Sequence, residues 1–139
     1  MNPLRVSATA SVEALDQLQA VLAQFWNDRR LPAEARYAFE LALEEFLMNV
    51  VMHGRPTAPE KTVWLELEDD AEAVHMVFED DCEAFDPTAH ATPDTSLDAE
   101  ARDIGGLGIH LVRQMMDGVD YAHLAGRNRI TLNKRLSSG

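Results

Sequence analysis

The sequence predicts an α/β fold of the α+β kind: a two-layer sandwich in which a mostly antiparallel sheet carries three main helices on one face. Three observations lead there. Residues 62–68 alternate, with Val63, Leu65 and Leu67 on one face and Trp64, Glu66 and Glu68 on the other, and Val74, Met76 and Phe78 repeat the alternation after an Asp69-Asp70 turn. That is the pattern of an antiparallel hairpin. Residues 119–124 and 129–135 form a closing hairpin around Ala125-Gly126-Arg127-Asn128. Finally, residues 11–29 and 39–54 carry apolar residues at helical spacing, each with one apolar stripe that must be buried against another layer.

Each element can be justified in turn. Leu4, Val6 and Ala8 alternate with Arg5, Ser7 and Thr9, a short strand. Ser11 has the side chain of an N-cap, and Leu15, Leu18, Val21, Leu22 and Phe25 give the stripe of a helix that runs to about Arg29. Pro32 stands just inside the next helix, where the missing N–H costs nothing. That helix organises the rest. Phe39, Leu43, Phe46 and Val50 form its core stripe, and Gly54 fits a C′ residue in the left-handed conformation. Residues 55–61, with two prolines, read as a loop. Residues 81–103 show no clear periodicity, and a loop of that length in a compact domain is usually functional. It ends in Gly105-Gly106-Leu107-Gly108, directly before a helix in which Leu107, Leu111, Val112 and Met115 are expected to face inward.

Composition bounds the function. The 139 residues suit one domain, residues 1–139, and 46% hydrophobic content argues for a packed core. The net charge of −12 repels phosphate backbones and anionic lipid, so nucleic acid and membrane surfaces are poor partners. Cys82 is the only cysteine, which suits a reducing cytosol, and no apolar run has the length of a signal peptide or a bilayer span. The expected location is cytoplasmic.

Three features stand out against this background. Glu45 and Asn49 are four apart, so a carboxylate and an amide share one face of the organising helix. Such a pair can hold Mg²⁺ through oxygen and orient a hydroxyl beside it, although a solvated Glu and a tolerated Asn would look the same. Asp80 has the parity of Phe78 and Met76, so it points to the buried side, where a carboxylate needs a strong donor. The glycines at 105, 106 and 108 open a helix, and amides at a helix N-terminus meet anions, although a glycine cluster alone is often only a turn.

Taken in order, Glu45-Phe-Leu-Met-Asn49-Val-Val-Met-His53-Gly54, Asp80-Asp-Cys-Glu-Ala-Phe85-Asp86-Pro87 and Gly105-Gly-Leu-Gly108-Ile-His-Leu-Val-Arg113-Gln-Met-Met-Asp117 resemble the motifs of the GHKL ATPases. Within that family the chain looks like the anti-sigma-factor serine kinases that pair with STAS-domain anti-anti-sigma proteins, over about residues 37–134. The resemblance implies the Bergerat ATP-binding fold, with ATP and Mg²⁺ as cofactors. It implies that Asn49 holds Mg²⁺ against the triphosphate and that Glu45 is the general base for an acceptor serine. It implies that Asp80 accepts from the adenine amino group, and that Gly105, Gly106, Leu107 and Gly108 lie along the phosphates. It also implies a sigma factor and a STAS-domain antagonist as partners, and a homodimer. The chain departs from the pattern at Cys82 and Ala84, where the family has glycine, and at Ile104, where it often has arginine. These departures keep open an alternative, a partner-binding switch protein without kinase activity.

Overall fold

A computed structural model describes residues 3–70, 72–89 and 107–136. The elements are β1 (Leu4–Thr9), α1 (Val12–Asp28), α2 (Ala33–His53), β2 (Thr62–Asp69), β3 (Ala73–Asp80), a 3₁₀ turn at Pro87–Ala89, α3 (Leu107–Met115), β4 (Gly118–Leu124) and β5 (Arg127–Arg135). The strands form one sheet in the order β1-β2-β3-β5-β4, antiparallel at every pairing. The helices lie on one face, so the expected two-layer sandwich is the observed architecture.

The inward face of the sheet is set by the alternation read in the sequence. Val63, Leu65, Leu67, Val74, Met76, Phe78, Ile130 and Leu132 are buried beneath the helices. Ser11 caps α1, its side chain accepting from the Ala14 amide at 3.1 Å. Leu18, Leu22 and Phe25 of α1 are fully covered, and Trp26 meets Phe39 of α2 with ring centroids 5.5 Å apart. Phe46 of α2 lies over Phe78 of β3 at 6.2 Å. Each such aromatic contributes about 1.5–3 kcal/mol on burial, so this pair fixes α2 against the strand that ends in Asp80.

Three local expectations are corrected. Pro32 is the N-cap of α2 and not its first helical residue. Its backbone is extended at ψ 129°, and its carbonyl accepts from Trp26 Nε1 at 2.8 Å. Gly54 does cap the C-terminus of α2, but with φ −64° it is not left-handed. Close approach explains the glycine there: a Cβ would lie 2.7 Å from the Val50 carbonyl oxygen and 2.8 Å from Cys82 Sγ. Leu111 is 45% exposed, while Ile109, Val112 and Met116 are buried. Leu111 lies about 200° around the helix from Ile109, so burying one exposes the other. Met115 is partly buried as expected.

The C-terminus of α2 is held from outside the helix. Lys61 Nζ donates to the carbonyls of Val50 and Val51 at 2.9 and 3.1 Å. A cation on the last carbonyls offsets the negative end of the helix dipole. Lys61→Met is therefore expected to lower the unfolding free energy by about 1–2 kcal/mol, read as a shift of the urea midpoint at constant slope. An unchanged midpoint would show that water replaces the ammonium without cost.

Candidate functional site

Two concavities of similar size flank the sheet. One, of about 580 Å³, lies on the helix-free face between Arg5, Trp64, Glu66, Glu79, Arg127 and Arg129. Its charges satisfy one another. Arg127 and Arg129 both reach the Glu79 carboxylate, Arg5 pairs with Glu66, and the Arg127 guanidinium stacks on Trp64 at 3.6 Å. The other, of about 560 Å³, lies between the end of α2 and the sheet, and Asn49, Asp80 and Asn128 line it. This second cavity holds buried polar groups with capacity to spare, and it is where a ligand can gain most.

Asp80 ends β3 and is 7% exposed, on the inward face as its parity predicts. It pairs across the sheet with Val63 on one side and Asn128 on the other. Its Oδ1 accepts from the Cys82 amide at 3.0 Å and from Asn128 Nδ2 at 2.9 Å. Among the described residues no nitrogen donates to Oδ2, and the Cys82 thiol lies beside the carboxyl. Burial pushes the carboxyl above the usual range, against the hydrogen bonds from Asn128 and Cys82 that favour the anion.

Glu45 and Asn49 lie one turn apart on α2, as their spacing requires, and both are half-buried. Asn49 Nδ2 is buried without a partner among the described residues. That atom is a donor; the oxygen of the same amide is of the hard type that Mg²⁺ prefers. Glu45 lies against the start of α3. A Cβ built on Gly108 would fall 1.8 Å from Glu45 Oε1, so only glycine lets the carboxylate pack there. Desolvation by this packing raises the Glu45 pKa, and the neighbouring Glu44 adds to it. Gly105 and Gly106 lie outside the described residues, as do the side chain of Leu107, Ile104 and residues 90–103 of the long loop.

The loop after β3 is tied down. The Glu83 amide donates to the Arg55 carbonyl at 2.9 Å, Pro56 bridges Cys82, and Asp81 Oδ1 accepts from the Thr62 amide at 2.9 Å. Cys82 is a buried filler whose thiol burial pushes up to about 11. Neither Cys82 nor Ala84 has a positive φ, so a Cβ at these positions is unstrained. Further on, Arg113 of α3 donates to the Thr88 carbonyl at 3.2 Å and joins the helix to the 3₁₀ turn.

One buried polar residue was not foreseen. The closing hairpin turns on Ala125 and Gly126 alone, at φ 54° and 77°. Arg127 and Asn128, expected in the loop, instead begin β5. Asn128 is 3% exposed and directly opposite Asp80. The signal was present in the sequence: Asn128, Ile130 and Leu132 alternate, and a two-residue turn would have placed all three on the inward face.

Comparison with known proteins agrees with this geometry. The chain is 28% identical over 130 residues to the serine/threonine-protein kinase BtrW of Bordetella bronchiseptica, covering 93% of this chain and 88% of that protein. In fold it is similar to the crystal structure of the RsbU and RsbW domains of a Mycobacterium tuberculosis protein, with a TM-score of 0.65 and 21% identity. That match takes in the whole of this chain and 34% of the other, so the chain spans about a third of that structure. Residues 8–134 match the histidine kinase-like ATPase domain, nearly the whole sequence, and with the three motifs in their order the chain belongs to that family, the GHKL ATPases.

Proposed function

We propose that this chain is a one-domain, ATP-dependent protein serine kinase and anti-sigma factor, acting in the cytoplasm as a homodimer within a bacterial partner-switching module. It phosphorylates a serine on a STAS-domain antagonist and sequesters a sigma factor when that antagonist is absent or phosphorylated. The observation that carries the reading is the arrangement between α2 and β3: Asn49 and a buried Asp80 carboxylate on one cavity, with Glu45 one turn before Asn49 against the first turn of α3. Similarity to a protein named as a serine/threonine kinase supports it.

In this reading Asp80 Oδ2 accepts from the amino group of adenine. The phosphates are assigned to Gly105, Gly106, Leu107 and Gly108 by their match to the family motif, and amides at the N-terminus of α3 favour negative charge. Asn49 would hold Mg²⁺, which would neutralise charge on the triphosphate. The serine Oγ attacks the γ-phosphorus, the bond to the β–γ bridging oxygen breaks, and ADP leaves. Glu45 takes the serine proton. Its desolvated carboxylate is a better base than an exposed one, and it works above its raised pKa. The protein's contribution is positioning and electrostatics.

The test is transfer of γ-phosphate from ATP to a STAS-domain acceptor, followed by acid treatment. Acid-stable phosphoserine is expected. An acid-labile product overturns the serine-kinase reading. Absence of transfer despite ATP binding leaves a nucleotide-binding partner switch in its place.

A further inference from the structure

Asn128 makes more hydrogen bonds than any other side chain on the cavity among the described residues, and nothing in the phosphotransfer scheme uses it. Its Oδ1 accepts from the Phe85 amide at 3.0 Å and from the Tyr121 hydroxyl. Its Nδ2 faces three acceptors: Asp80 Oδ1 at 2.9 Å, the Glu83 carbonyl at 3.0 Å and the Cys82 carbonyl at 3.3 Å. Two donors on one end and three acceptors on the other admit a single orientation of the amide, since a flip would set N–H against N–H and oxygen against oxygen. The network runs from β4 through β5 to β3 and into the loop at 82–85, and it is closed except at Asp80 Oδ2.

We propose that Asn128 is a positioning residue for base recognition. By donating to Asp80 Oδ1 while it holds the 82–85 loop, it presents Asp80 Oδ2 to the cavity as a fixed acceptor for an exocyclic amino group. It thereby selects adenine over purines that lack that group. Three consequences of the geometry support this. With Oδ1 held by two donors, Oδ2 is the oxygen left to face the cavity, and in the ionised carboxylate it is an acceptor. A buried acceptor left without a donor penalises the wrong base more than a surface acceptor would. And the same amide anchors the backbone at Cys82, Glu83 and Phe85, so base selection and the shape of the loop depend on one side chain.

The inference rests on the reading of this cavity as an ATP site, and its test separates the two. Affinities are measured for ATP and for purine riboside 5′-triphosphate, which lacks the amino group, with Mg²⁺ present. The wild type is expected to prefer ATP by about tenfold or more, the weight of one buried hydrogen bond to a charged group. Asn128→Ala is expected to lower that preference at least about fivefold, with ATP losing more affinity than the analogue, because the loop contacts serve both nucleotides and the amino contact serves ATP alone. Asn128→Ser, which keeps one donor, should recover part of the preference. An equal loss for both nucleotides would reduce Asn128 to a structural residue and overturn the proposal, as would an unchanged preference. If Asn128→Ala does not fold, Asn128→Ser and Tyr121→Phe carry the comparison, and an unchanged preference in both overturns it. Binding of neither nucleotide by the wild type would remove the ATP reading itself.

Discussion

Asp80→Asn is expected to abolish the thermal stabilisation that ATP and Mg²⁺ confer on the wild type, while leaving the free protein at least as stable. A ligand at about 100 times its Kd adds roughly 2.7 kcal/mol, or a rise in midpoint on the order of 10 °C for a chain of this size. In the variant the new amide can still accept from Cys82 N and Asn128 Nδ2 through its oxygen. Its NH₂ then stands where Oδ2 was, and a donor meets the donor of the base. A loss of about 100-fold in affinity leaves only about 0.4 kcal/mol at the same concentration. The effect on the free protein follows from the carboxyl's raised pKa. The folded chain binds this proton more tightly than the unfolded chain does. Stability from Asp80 is therefore greatest in acid and falls as pH rises from the ordinary carboxylate range through the raised value. At neutral pH the ionised group is a liability, and the neutral isostere removes it. Differential scanning fluorimetry with and without nucleotide checks both parts. A full nucleotide shift in the variant would take Asp80 out of the binding site.

That a carboxylate costs stability where it stands is also why it could be found in the sequence. A period of two leaves no choice of face, so Asp80 was bound to lie under the helices once Phe78 and Met76 did. Glu45 and Asn49 were legible by the same kind of argument, because residues four apart on a helix cannot part company. What failed to be legible depends on contacts between distant segments. Glycine at 54 is compatible both with a left-handed cap and with close packing, and only the position of Cys82 decides between them. Leu111 could not be assigned to a face because apolar residues surround the short helix at Ile109, Leu111, Val112, Met115 and Met116, and packing on α2 chooses the phase. Asn128 was hidden because Ala125 adopts a positive φ that few residues other than glycine and asparagine take, which shortens the turn to two residues. One unusual backbone angle thus moves a polar side chain from a solvated loop to the centre of the site.

Glu45→Gln is expected to reduce phosphotransfer by about 10²–10⁴-fold, the usual weight of a positioned general base, and to leave the nucleotide-induced thermal shift intact. The two halves of this expectation come from where the residue stands. Its carboxylate packs on Gly108 at the opening of α3 and lies outside the set of groups that close on Asp80. Binding to the base therefore does not pass through it, and glutamine fills the same volume over Gly108. What glutamine cannot do is take a proton. In the wild type, burial and the adjacent Glu44 raise the Glu45 pKa, so activity should fall as pH drops through a value above the ordinary glutamate range. That acidic limb should vanish from the residual activity of the variant. Stability moves the other way: the raised pKa makes the ionised carboxylate costly at neutral pH, so the free variant should be no less stable than the wild type. Rates within about threefold of wild type would remove Glu45 as the base, since no general base is worth so little. Loss of both transfer and nucleotide shift would assign it to the architecture of the site. Set beside Asp80→Asn, which should lose both because the nucleotide never binds, the variant divides recognition at the end of β3 from chemistry on α2. The division is physical. The Asp80 carboxylate is oriented by hydrogen bonds from Cys82 N and Asn128 Nδ2, whereas Glu45 is held by packing alone among the described residues, which leaves its carboxylate free to gain a proton and give it up.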